Sequence, residues 1–159
     1  MDRTIIGFCG GKWGCSGVGK TTAARFLVDK GFRLVSFSDP IERVAKAQAG
    51  WNGVRDAAGK RILDAVCRGG RKVSEDYWTH LVMKSIPSEE KKIVFDDIWF
   101  ANERRFIKSS GGWVIEIIRP LVPASDLDFE VDASVFNKGG FDDFRESILS
   151  AVYGLFPSL

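Results

Sequence analysis

Gly14-Cys15-Ser16-Gly17-Val18-Gly19-Lys20-Thr21 satisfies the phosphate-loop pattern G-x-x-x-x-G-K-[ST] at every fixed position. The pattern has force only between a strand and a helix. Upstream, the apolar run at residues 4–9 (TIIGFC) reads as a buried strand, and the residues from Gly19 onward read as a helix. Glycines let successive backbone N–H groups turn inward around an anion, and a helix N-terminus points its positive end at the same place. Gly14, Ser16, Gly17, Val18, Gly19 and Thr22 are therefore expected to cradle phosphate groups. Lys20 is expected to reach the β and γ phosphates of ATP, and the Thr21 hydroxyl to ligate Mg²⁺. Four residues, Gly10, Gly11, Lys12 and Trp13, stand between the strand and Gly14, more than a tight turn requires.

Outward from this loop, strand-length apolar runs alternate with helical patterns, the signature of βα units around a mostly parallel sheet. Strands are predicted at residues 4–9, 33–37, 92–96, 113–118 and 133–137. Helices are predicted at 19–30, 40–49, 55–67, 74–86, 102–109 and 141–153. Lys30-Gly31 and Ser110-Gly111-Gly112 are stop signals, and Ser74 suits a helix cap. The expected fold is an α/β three-layer sandwich of the P-loop NTPase type, a single domain over residues 1–159. Residues 51–88 read as a small, lid-like helical insertion, with a mobile loop at the Gly- and Arg-rich residues 68–72.

Composition narrows the class. With 23 Lys+Arg against 21 Asp+Glu the net charge is +2, and 45% of residues are hydrophobic. A chain of this length buries roughly 70% of its unfolded surface, enough for a core without staples. A near-neutral chain lacks the concentrated basic face that counterion release at nucleic acid requires. The run at residues 113–118 is broken by Glu116 and falls well below the ~20 apolar residues of a membrane span. The polar start Met1-Asp2-Arg3 is unlike a signal peptide, so the expected location is the cytoplasm. Three cysteines, Cys9, Cys15 and Cys67, cannot all pair and are expected to be reduced thiols.

In an open parallel sheet, ligands sit beyond the carboxyl ends of the strands, so residues just after each strand carry most weight. After the second strand come Ser38, Asp39 and Pro40. Pro40 suits a first helical turn, Asp39 either caps that helix or orients an acceptor, and Arg43, one turn on, can clamp a phosphate bidentately. After the third strand stand Asp96 and Asp97. Asp97 is the preferred candidate for the metal's surroundings or the acceptor hydroxyls, with Asp96 as alternate. Asn102 either caps the next helix or faces substrate. Phosphoryl transfer needs cations, and Arg71, in a Gly-flanked segment, and Arg119, at the end of the fourth strand, are the best placed; Arg68, Lys72, Arg104 and Arg105 are others. His80 reads as structural, no Cys/His cluster has metal-site spacing, and Trp78 reads first as core. Phe37, Trp51 and Trp99 are candidate partners for a base.

Taken in order along most of the chain, these segments resemble the deoxynucleoside monophosphate kinases of bacteriophages. Phe37-Ser38-Asp39-Pro40-Ile41 is similar to that family's aromatic-small-Asp-Pro-aliphatic segment, and Gly70-Arg71 with Trp78 to its Gly-Arg and Trp spacing. Asp97-Ile98-Trp99-Phe100-Ala101-Asn102-Glu103 resembles Asp-Val-Arg-Phe-Pro-Asn-Glu, and Phe136-Asn137-Lys138-Gly139 resembles the last-strand Asn and glycine turn. Trp99 stands where the family carries arginine. The resemblance implies transfer of the γ-phosphoryl of ATP·Mg²⁺ to a deoxynucleoside monophosphate. It also implies Ser38, Asp39, Arg43, Arg71, Trp78, Asp97, Asn102 and Glu103 around the acceptor, a homodimer, and a phage enzyme working in host cytoplasm. A kinase of another small acceptor, a nucleotide-driven switch and a non-catalytic ATP binder are the alternative readings.

Overall fold

The computed structural model describes residues 3–12 and 17–157. Contacts divide the chain into two compact units, one comprising residues up to Val35 and from Glu89 onward, the other Ser36–Ser88.

The first unit is built on five parallel strands, β1 (Thr4–Cys9), β2 (Arg33–Val35), β3 (Lys92–Phe95), β4 (Trp113–Ile118) and β5 (Ala133–Phe136). Their order is β2-β3-β1-β4-β5. Parallel registers such as Ile6 with Val94 and Phe8 with Ile115 place β1 at the centre. Both faces of β1 are apolar because both are covered, as parallel sheets require. Ile6 and Phe8 join the core formed with helices α1 (Lys20–Val28) and α6 (Phe141–Leu155), where Phe26 meets Phe144 edge-on at 5.8 Å. On the other face Gly7 lies against Ile98 and Ile107, and Gly112 against Ile107 and Ile5, with no room for a Cβ at either. That closeness lets helix α5 (Ala101–Ser109) lie against the sheet.

β1 and β4 have the predicted bounds, whereas β2, β3 and β5 stop short of theirs. β2 ends at Val35 because the chain turns at once into the next helix, with Asp39 N donating to Ser36 O at 3.3 Å. Gly31, at φ 85, reverses the chain after α1, where Phe32 N returns to Leu27 O at 3.1 Å; Gly111, at φ 77, does the same after α5. The connection between β4 and β5 is tied down by Arg104 Nε on Glu130 O (2.9 Å). Asp132 accepts from both Lys108 Nζ (2.6 Å) and Val114 N (2.8 Å).

The second unit contains α2 (Asp39–Gln48), α3 (Ala57–Val73) and α4 (Tyr77–Ser85). α2 begins on Asp39 itself, with Ser38 at the cap position and Pro40 in the first turn, so Asp39 is not the cap. α3 starts on a true side-chain cap, Asp56 Oδ1 accepting from Gly59 N at 2.8 Å. Residues 68–72 are not a mobile loop: α3 continues through them to Val73, and Arg68 pairs with Asp64 one turn back. Ser74 closes α3 instead of opening α4.

The glycines that suggested a loop there have a packing cause. A Cβ on Gly70 would lie 2.6 Å from Trp78 Nε1 and Cζ2, and that indole is buried with Nε1 donating to Cys67 O at 2.8 Å. Gly70→Ala therefore sets a helix-propensity gain of about 1 kcal/mol against overpacking of about 1–3 kcal/mol. The expected result is a net loss of stability in urea titrations. A more stable variant would show that Trp78 can move aside.

Candidate active site

β1 delivers the chain to Gly10, whose φ of 127 and close approach to the Ile117 carbonyl admit no side chain. Gly11 follows at φ 74. The predicted cradle residues Gly14 and Ser16 lie outside the described residues. The loop re-emerges at Gly17 and Gly19, both at φ 108, and α1 begins at Lys20. Such angles are open to glycine and strained for other residues. At Gly19 a Cβ would also meet Asn137 Nδ2 at 2.8 Å.

Two donors from the carboxyl ends of neighbouring strands fasten this half of the loop. Arg119 Nη1 donates to Gly17 O at 2.7 Å, and Asn137 Nδ2 to Val18 O at 2.9 Å. With these carbonyls held by side chains, the Gly17–Val18 end of the loop is tied to the sheet. Arg119 was expected at this edge; Asn137 entered only as part of a family segment, and its bond spans 119 positions of sequence.

Lys20 is 9% exposed and its Nζ donates to Gly10 O at 2.8 Å. Burial pulls its pKa below the ordinary lysine value, opposed by Cys9, Asp97 and Asp96. The indole of Trp99 covers the ammonium at 4.1 Å from Nζ to the ring centroid. Thr21 Oγ1 donates to Asp96 Oδ2 at 2.9 Å. Asp96, the alternate of the acidic pair, is thus the carboxylate joined to Thr21, and Thr22 follows half-buried on α1. The pairing is clear only in three dimensions, since it joins α1 to the end of β3.

Beyond β3, Glu103 Oε2 accepts from both Trp99 N (2.7 Å) and Phe100 N (3.1 Å), so Glu103 shapes the turn into α5. Asn102 is 1% exposed inside α5 and does not cap it. Cys9 is buried at the end of β1, and burial, with Glu116, pushes its thiol up to about 12, a neutral interior group. In the second unit, Ser38, Asp39 and Arg43 sit at the start of α2, with Asp39 and Arg43 exposed. Arg71 lies in the last turn of α3, 4.0 Å from Glu75, and Trp78 packs beneath that turn at Gly70. His80 is exposed on α4. Among the described residues no cluster of three His, Cys, Asp or Glu side chains suits a metal ion. No described helix is long and apolar enough to cross a membrane.

A five-stranded parallel sheet with helices on both faces, and a glycine loop leading from its central strand into α1, defines an α/β protein of the P-loop NTPase fold. Solved structures agree. The crystal structure of TT1252 from Thermus thermophilus matches with a TM-score of 0.63 at 16% identity, covering 98% of this chain and 99% of that one. Dephospho-CoA kinase from Campylobacter jejuni matches with a TM-score of 0.54 at 12% identity, covering 98% of each chain. By sequence the chain is 28% identical over 191 residues to a protein of Acanthamoeba polyphaga mimivirus named "Putative deoxynucleotide monophosphate kinase", covering 93% of this chain and 95% of that protein. No family model matches the chain.

Proposed function

We propose that this protein transfers the γ-phosphoryl group of ATP to a deoxynucleoside 5′-monophosphate, giving the diphosphate. The observation that carries the donor half is the convergence of Lys20, Thr21 and Asp96 where the glycine loop becomes α1. The mimivirus relative, matched over nearly its whole length, favours a deoxynucleotide as acceptor.

A hydroxyl hydrogen-bonded to a carboxylate is an all-oxygen donor set that suits Mg²⁺, with Thr21 as ligand and Asp96 beside it. The ion would supply charge neutralisation between donor phosphates. Lys20 then holds the β and γ phosphates, and the loop N–H groups fix them in line. Asp97 orients the acceptor, and Arg119 offsets charge at the loop. The resemblance assigns Ser38, Asp39, Arg43 and Arg71 of the second unit to the acceptor, with Trp78 supporting the turn that carries Arg71; in the first unit Asn102 and Glu103 shape the segment after Asp97. Little covalent chemistry is asked of the protein, so its contribution is position and field.

A chromatographic assay for diphosphate, with ATP, Mg²⁺ and each deoxy- and ribonucleoside monophosphate in turn, tests this reading. Product from one or more deoxynucleotides is expected. No product from any of them, in a protein that binds ATP, would retire the reading in favour of another acceptor. Acceptor-independent hydrolysis would point to a nucleotide-driven switch.

A further inference from the structure

The ring over Lys20 is held in place from both sides. Ile98 N donates to Phe8 O at 3.2 Å, securing the residue before Trp99 to the central strand. Glu103, itself 7% exposed, accepts from the backbone N–H groups of Trp99 and Phe100. The indole thus stands where a short, doubly anchored backbone puts it, 4.1 Å from Nζ. The Gly10 carbonyl accepts from the same Nζ at 2.8 Å. A tryptophan face is the strongest aromatic partner for an ammonium, and the attraction grows as water is excluded.

We propose that Trp99 is a positioning residue for Lys20. Its ring shields the ammonium from water and keeps it aimed along the loop. An incoming donor phosphate oxygen then takes the place of the Gly10 carbonyl as the ammonium's partner, while the ring stays where it is. This rests on reading the loop as the donor-phosphate site. An ammonium already stripped of water and confined to one direction loses less hydration and less side-chain freedom when the phosphate arrives, so the ring strengthens donor binding. Because the ring acts on the lysine, Trp99 governs donor affinity and leaves acceptor affinity alone.

The test begins with the nucleotide-free wild-type protein. Lysine ε-methylene resonances are recorded by NMR, with Lys20 assigned by its loss in Lys20→Ala. A methylene above an indole face is shifted upfield of lysines that meet no ring, and Lys20 is expected to show that shift, as is Lys108 above Trp113; a Lys20 resonance among the lysines that meet no ring would overturn the proposal without any Trp99 variant having to fold. Trp99→Leu and Trp99→Phe are then titrated calorimetrically with the β,γ-imido analogue of ATP and Mg²⁺. Trp99→Leu should bind it roughly tenfold more weakly, whereas Trp99→Phe, which restores an aromatic face, should stay within about threefold. The acceptor KM should be unchanged in both. Donor binding by Trp99→Leu as tight as wild type, or equal weakening in Trp99→Phe, would overturn the proposal. Failure of the kinase reading is separately visible: the assay then yields no diphosphate, while the ring-current shift and the affinity difference persist.

Discussion

Lys20→Ala is expected to lower kcat for diphosphate formation by on the order of a hundredfold or more, the scale seen when one preorganised charge donor is removed from a water-poor site. The effect should fall on turnover and not on folding. The substitution leaves the Gly10 carbonyl without this donor, a loss of about 1 kcal/mol. It also removes an ammonium whose burial is unfavourable, as the downward pull on its pKa shows. Those changes oppose each other, so the melting temperature should move little. Steady-state kinetics beside a thermal melt separate the two. Near-wild-type turnover in a folded variant would show that the donor phosphates do not rest on Lys20.

The largest stability effect is expected at Gly10. Gly10→Ala forces a side chain into φ 127 and drives its Cβ into the backbone carbonyl of Ile117, inside β4. Backbone strain of this kind costs about 1–3 kcal/mol, and overpacking against a strand that cannot rotate away adds about 1–3 kcal/mol. Gly17→Ala is the control, because Gly17 shares the positive φ, at 108, yet among the described residues nothing stands within 4 Å of a Cβ there. Urea titration should show Gly10→Ala losing clearly more stability than Gly17→Ala. Equal losses would mean that the strand neighbour yields and that only the backbone angle matters.

This contrast bears on what the sequence discloses. The fixed pattern begins at Gly14, yet the glycine that the strand ends require, and whose carbonyl receives Lys20, is Gly10. The pattern counts residues from the lysine backward, whereas the fold counts from the end of β1. The sheet itself was legible, because strands covered on both faces leave near-continuous apolar runs, interrupted in β4 only by Glu116, and β1 and β4 have the predicted bounds. The local signals end the third helix at Cys67, since Gly69-Gly70 looks like a breaker, whereas α3 runs to Val73. The reason for Gly70 is an indole eight positions further on, and nothing local announces it. The site was legible where one motif carried it, at Lys20 and Thr21. It was less so where partners come from separate strands, as with Thr21 and Asp96, 75 positions apart. In the sequence Trp99 is a departure from a family pattern and a candidate partner for a base. Its place over Lys20 depends on the turn that Glu103 builds, which no spacing rule describes.

The bond from Asn137 to Val18 has a consequence for any shortened form of this protein. A product ending before Ala133 would still contain every residue of the glycine motif. It would lack the final strand and with it one of the two hooks that fasten the loop to the sheet. Such a truncation would keep the signature that marks a nucleotide binder while losing the support that shapes it. Loss-of-binding variants should therefore map to residues 133–137 as well as to residues 14–21.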